Sequence, residues 1–340
     1  MDMSTAPGRY TLIIGNGRSG TNWLLTMLDA SRLTHCRNEP QEIPKSPYHQ
    51  LPSPPLDSDT SETMAVKWDA FASWTAYRMG ERDLKIENPK DHIHAWAQKT
   101  GIAYLPVRPK IQQQLRPLIP ALQRGEWQMP VWIGKPTRLR QALAVLKVND
   151  LKAWTAAWIF QHRPQIPVIH ITRHPGGQLN SGIKRFFTNL SPEQKAREQR
   201  LHQEILQQAA QLHPEWREKF GDIEAMSLVE AVAWVWRYNN EMIYLAGQQA
   251  PNYLPIVYED LAQDPLHYAR KMYDLCQLPW TPEVERIISQ GLNTSVWGKL
   301  EKSAGSVADA WKHKLAPEYQ ELANKVLNGS VMQGWWASSG

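Results

Sequence analysis

Residues able to do chemistry gather where glycines meet basic and hydroxyl side chains. In "GNGRSGTNW", Gly15, Gly17 and Gly20 permit close backbone approach to a ligand, and Ser19, Thr21 and Asn22 add side-chain donors. Arg18 adds a fixed cationic fork suited to an oxyanion. The free amides that open a helix after such a turn, together with the helix dipole, favour a bound anion. From Gly15 the spacing follows the triphosphate loop G-x-x-x-x-G-K-[ST] as far as Gly20, but Thr21 and Asn22 replace its lysine and hydroxyl residue. The positive charge sits earlier, at Arg18. A magnesium-dependent triphosphatase is therefore disfavoured.

The second stretch is "PVIHITRHPGGQLNSGIKRF". It reads as a strand ending at Arg173, a turn through Pro175, Gly176 and Gly177, and a helix carrying Ser181. That serine is expected to point back beside Arg173 and complete a second small anion site. An ordinary strand-to-helix turn with polar caps is the plainer alternative.

These loops need a scaffold. "YTLIIG" (10–15), "AVLKV" (144–148), "PVIHIT" (167–172) and "LPIVYE" (254–259) are continuous apolar runs of the kind found in buried parallel strands. Helical patterns follow in "GTNWLLTMLDAS", "LKAWTAAWIFQHR" and "DPLHYARKMYDLCQ". The alternation predicts an α/β fold, whose ligands bind beyond the carboxyl ends of the strands. One domain over residues 1–340 is expected. A proline- and serine-rich, then mainly helical, insertion at about 40–130 would face the substrate, with a second, helical insertion at about 188–250. Within the latter, "AMSLVEAVAWVWRYNNEMIYLAG" is apolar nearly all round and reads as a buried helix.

Composition narrows the function. A net charge of +5 with scattered basic residues suits an anionic ligand but forms no run that suggests nucleic acid. The 16 tryptophans serve cores and can line pockets. Cys36 and Cys276 form no CxxC pair, so neither a zinc framework nor a disulfide scaffold is implied. With no secretory signal and no apolar run long enough to span a bilayer, a cytoplasmic protein is expected.

Together the two loops resemble the sulfotransferases that use 3′-phosphoadenosine 5′-phosphosulfate (PAPS). The family's first motif, R/K-S-G-T-T/N-W/L, is matched by Arg18-Ser19-Gly20-Thr21-Asn22-Trp23. Its second, R-D-P-R-x-x-x-x-S, is matched by Arg173, Pro175 and Ser181, with departures at His174 and Gly176. "VYEDLAQDP" (257–265) and "WKHKLAPEYQELANKVL" near the C-terminus also match, in the family's order. The resemblance implies a P-loop-NTPase-like three-layer α/β/α fold with a central parallel sheet. It also implies PAPS as donor, 3′-phosphoadenosine 5′-phosphate (PAP) as product, and no metal. The first motif would hold the 5′-phosphosulfate; Arg173 and Ser181 would hold the 3′-phosphate.

For the base, Glu39 is the expected residue, since it should emerge at the end of a short second strand beside the first loop. Branches of the family carry a base glutamate at that place, whereas others use a histidine, for which His35, His49, His92 and His94 are the alternatives. Lys147, near a strand end, and Arg18 would stabilise charge on the transferring group. Glu259 and Asp260 are expected to be structural, capping the helix that follows. In "KLEKSAGSVADAW" (299–311), Lys302, Gly305 and Trp311 occupy the place of the family's nucleotide-covering loop. The acceptor is expected to be a small molecule or glycan. The competing functions are a nucleotide or small-molecule kinase on the same core and a nucleotide-binding module that has lost catalysis.

Overall fold

The structure is a computed structural model, and it describes residues 9–43, 46–54, 58–77, 89–100, 134–183, 188, 190–291 and 308–339. Five parallel strands form one sheet in the order β2-β3-β1-β4-β5: β1 (Tyr10–Gly15), β2 (Thr34–Asn38), β3 (Leu143–Asn149), β4 (Val168–Thr172) and β5 (Tyr253–Val257). The apolar runs are continuous because both sheet faces are covered, and every residue of β1 and β4 is buried.

Side-chain alternation sends the two halves of each strand to different helices. Ile13, Val145, Ile169 and Ile171 pack with α1 (Thr21–Asp29) on one face. Leu12, Ile14, Leu146 and Val168 pack on the other with α3 (Ala153–His162), which follows α2 (Ser58–Tyr77) in the chain. After β4 come α4 (Pro175–Gly182), α5 (Pro192–Leu212) and α6 (Leu228–Gly247), and α6 packs on both α3 and α5. After β5 come α7 (Tyr258–Gln263), α8 (Pro265–Leu275) and, near the C-terminus, α9 (Trp311–Lys314) and α10 (Pro317–Leu327).

Three expectations change. The last strand stops at Val257, because Tyr258 and Glu259 already belong to α7. Neither Glu259 nor Asp260 caps the following helix; Asp264 does, its carboxylate accepting from the His267 amide at 3.1 Å. The buried helix α6 is not apolar all round. Arg237, Asn239, Asn240 and Glu241 are all buried on it. About half of the insertion expected at 40–130 lies outside the described residues, α2 being its longest described element. Among the described residues, no helix is long and apolar enough to cross a membrane.

The buried charges on α6 are compensated in place. Glu241 Oε2 lies 3.3 Å from Arg237 Nε and accepts from Ser330 Oγ at 2.6 Å. Arg237 also donates to the Asn328 carbonyl at 2.9 Å, which ties α6 to the segment after α10. Breaking one side of such a pair leaves an uncompensated charge inside the protein. We expect Glu241→Ala to cost about 3–5 kcal/mol in chemical denaturation, and Arg237→Met with Glu241→Leu to cost less than that single change. A single variant as stable as the parent would remove the pair from this role.

Candidate active site

The strand ends converge as a parallel sheet requires. β1 delivers Asn16 to Gly20, β2 delivers Glu39, β3 delivers Lys147 and Asn149, and β4 delivers Arg173. Register places Lys147 beside Asn38 on one side and Ile13 on the other. Its side chain points to the α1 face with Val145. There its ammonium donates to Asn38 Oδ1 at 2.8 Å, to Glu39 Oε1 at 2.9 Å and to Asn22 Oδ1. Lys147 is only 1% exposed. A lysine that deep is held by its acceptors and does not snorkel to solvent.

Glu39 shares the same oxygen with a second donor, Asn149 Nδ2, at 2.8 Å. Its amide donates to the Lys147 carbonyl at 3.0 Å, which extends the β2–β3 pairing by one residue before the chain turns. The carboxylate therefore sits in a fixed position with partial access to solvent. Of the alternative histidines, His35 and His92 are buried edge-on against each other, His49 is exposed and His94 is half-buried.

The glycine-rich loop is braced from several directions. Asn16 Nδ2 and the Gly17 amide donate to Asp150 Oδ1 at 3.0 and 3.3 Å. Asn240 of α6 donates to Asn16 Oδ1 at 2.7 Å and accepts from His170 Nε2 at 3.0 Å. His170 Nδ1 in turn pairs with the Tyr253 hydroxyl at 2.8 Å, and burial pushes its pKa down to about 4, so the imidazole stays neutral in this chain of bonds. Ser19 Oγ donates to the Asn16 carbonyl and Thr21 Oγ1 to Asn149 Oδ1. Gly20 has φ 107°, and a Cβ there would lie 2.7 Å from the Tyr258 ring. Only glycine meets both conditions.

Arg173 and Ser181 are not direct partners. Ser181 is the seventh residue of α4, about 9 Å along the helix, and this carries it to the glycine-rich loop. Its Oγ accepts from Arg18 Nε at 2.8 Å. Arg173 instead lies over the Tyr258 ring at 4.4 Å and donates to the Arg18 carbonyl at 3.4 Å. Trp23 meets the same tyrosine edge-on, with ring centres 6.1 Å apart. Both loops and Trp23 thus border one region, with Arg18 at its centre. Lys302 and Gly305 lie outside the described residues.

The motif departures at His174 and Gly176 have a common cause. His174 caps α4 with Nδ1, which accepts from the Gly176 amide at 3.0 Å, the service an aspartate would perform. This needs a neutral ring, and burial lowers the His174 pKa to about 4. Trp311 stacks on that ring, 4.2 Å between centres, and occupies the space where a side chain at 176 would begin. Trp311 therefore belongs to the second motif's support. Glu259 accepts from the His174 amide at 3.1 Å and from Trp336 Nε1 at 2.9 Å, anchoring the same turn from α7 and the C-terminal segment.

Gly17, Arg18, Glu39, Asn149 and Asp150 open onto one cavity of about 900 Å³. Among the described residues, four non-glycine positions have positive φ, and three of them border it: Arg18 at 74°, Glu39 at 52° and Asp150 at 55°. Backbone strain of this kind collects where side chains must be aimed. Sequence reasoning missed Asn149, Asp150 and Asn240. The position of Asn149 and Asp150 immediately after an apolar strand was their one available signal.

Gly176→Ala and Gly182→Ala gain the same helix propensity, but a Cβ at 182 meets nothing within 4 Å. The difference between them isolates the Trp311 contact. We expect Gly176→Ala to be less stable than Gly182→Ala by about 1–3 kcal/mol in urea titrations. Equal midpoints would mean that Trp311 yields freely.

Comparison with known proteins bears on the whole arrangement. The sequence model described as the sulfotransferase family matches residues 11–282. No curated protein matches the chain. Similar solved structures include the sulfotransferase domain of the Synechococcus PCC 7002 olefin synthase, 18% identical over 94% of each chain with a TM-score of 0.44. The sulfotransferase domain from the curacin biosynthetic pathway is 16% identical, covers 95% of this chain and 98% of its own, and has a TM-score of 0.46. A sulfotransferase from Mycobacterium avium is 14% identical over 96% of this chain and 78% of its own, with a TM-score of 0.40. The family match runs through Arg18, Glu39, Lys147, Arg173 and Ser181 alike: the chain belongs to the sulfotransferase family.

Proposed function

We propose that this protein transfers a sulfuryl group from PAPS to a small-molecule acceptor, with Glu39 as general base. The observation that carries the reading is the cavity wall, on which Gly17 and Arg18 of the anion loop adjoin Glu39. The loop and the proposed base therefore face the same cavity, as an in-line displacement requires.

The donor set fits an adenosine bisphosphate carrying sulfate. The loop from Gly15 to Gly20 offers amides at the start of α1, and Arg18 offers a cationic fork. Arg173 and Ser181, one on each side of Arg18, fit a second phosphate. Trp23 and Tyr258 give the same region aromatic surface.

Each residue then has a task. Glu39 takes the acceptor's proton as the acceptor oxygen or nitrogen bonds to sulfur and the bond from sulfur to the phosphate oxygen breaks. Asn149 and Lys147 hold that carboxylate in place. Lys147, between Asn22 and Glu39, and Arg18, at the loop, counter the negative charge that gathers on the departing phosphate. Main-chain amides at the helix start share this work without moving.

Two measurements test the proposal. PAP at about 100 times its dissociation constant should stabilise the chain by roughly 2.7 kcal/mol, whereas ATP with magnesium should not. A shift with ATP and none with PAP would favour a kinase. Glu39→Gln should keep PAP affinity while turnover falls by about 10²–10⁴, the range for losing a general base. Near-normal turnover in that variant would move the base to another residue.

A further inference from the structure

Beyond the transfer centre, the cavity is walled by two helices. α5 turns Glu198, Leu201, His202 and Ile205 towards it, and α6 turns Val232, Val235, Trp236 and Asn239. Both sets follow the three- and four-residue spacing of one helix face. Leu179 and Leu190 add to the apolar lining. Leu201 of α5 is 42% exposed and borders the cavity. An apolar side chain held at the lip of an enclosed space supplies binding surface for hydrocarbon.

The charge at this end is mainly acidic. Glu42, Glu198 and Glu204 line the cavity, with Lys152 and His202 the basic residues apart from Arg18 at the loop, and Asp150 is occupied by the loop. Carboxylates there repel an anionic acceptor. A sugar could pair with Gln178, His202 and Gln208, but would also place hydroxyls against Leu179, Leu190, Ile205, Val232 and Val235, where they would lose their hydrogen bonds to water.

We infer that the acceptor is an uncharged alcohol on a largely hydrocarbon body. The inference rests on sulfuryl transfer at Glu39 and narrows its acceptor class to exclude glycans. The body lies between α5 and α6, and the reacting hydroxyl reaches Glu39.

The test compares decanol and a decalin alcohol with methyl glucoside and a uronate disaccharide, using the full chain and saturating PAPS. At least one hydrocarbon alcohol should exceed both sugars in kcat/KM by about tenfold or more. Leu201→Glu, at a site exposed enough to accept charge, should raise that alcohol's KM about tenfold and leave PAP affinity unchanged. Ile205→Trp, which fills the cavity from the same wall, should do the same. A preference for either sugar, or an unaltered alcohol KM in both variants, overturns the inference while PAP binding and Glu39-dependent turnover leave the transfer reaction standing. Absence of PAP binding in the parent chain would overturn the transfer reaction itself, and the acceptor inference with it.

Discussion

The ammonium of Lys147 sets the terms for everything around it. A charge so deeply buried costs several kcal/mol unless acceptors surround it, and no single neighbouring element could supply them all. Asn22 comes from the start of α1, Asn38 from the last residue of β2 and Glu39 from the turn beyond. Satisfying one lysine thus fixes the distance between the anion loop's helix and the carboxylate across the sheet. The groups proposed to react are positioned by the same contacts that keep the charge from being stranded.

The anion loop is fixed by a second and independent device. Asn240 reaches from α6 to Asn16, with His170 and Tyr253 behind it. This explains why a helix that reads as a plain buried element carries amides and an ion pair in its interior. Its apolar faces hold it between α3 and α5, and its polar residues hold other parts of the chain to it. The helix also forms one wall of the cavity, so loop geometry and cavity shape share a single support.

The sequence disclosed what depends on local pattern. The continuous apolar runs gave the strands to within one or two residues, since strands buried on both faces leave little else to be. Glu39 was legible because strand ends face one way in a parallel sheet, so the residue after a short second strand had to arrive near the first loop. Contacts across the sheet were not legible in the same way. The pairing of Ser181 with Arg18, and not with Arg173, depends on how far α4 carries the serine. The roles of Asn149 and Asp150 depend on β3 lying beside β1, which no local pattern states. His174 and Gly176 looked like separate departures from a motif. In space they are one packing arrangement, in which Trp311 fills the room that the glycine leaves and the histidine does the capping.

The reach of the Asn240 contact has a consequence for how the protein comes into being. Asn16 and Asn240 are 224 positions apart, and the Lys147–Asn22 contact spans 125. A chain growing from the ribosome makes the glycine-rich loop long before α6, and cannot brace it until α6 has emerged and docked. Contacts of such separation form late, because closing the intervening loops carries an entropic cost that only the assembled core offsets. The loop is therefore braced only after α6 has been made, and a chain terminated before α6 carries the motif without its support.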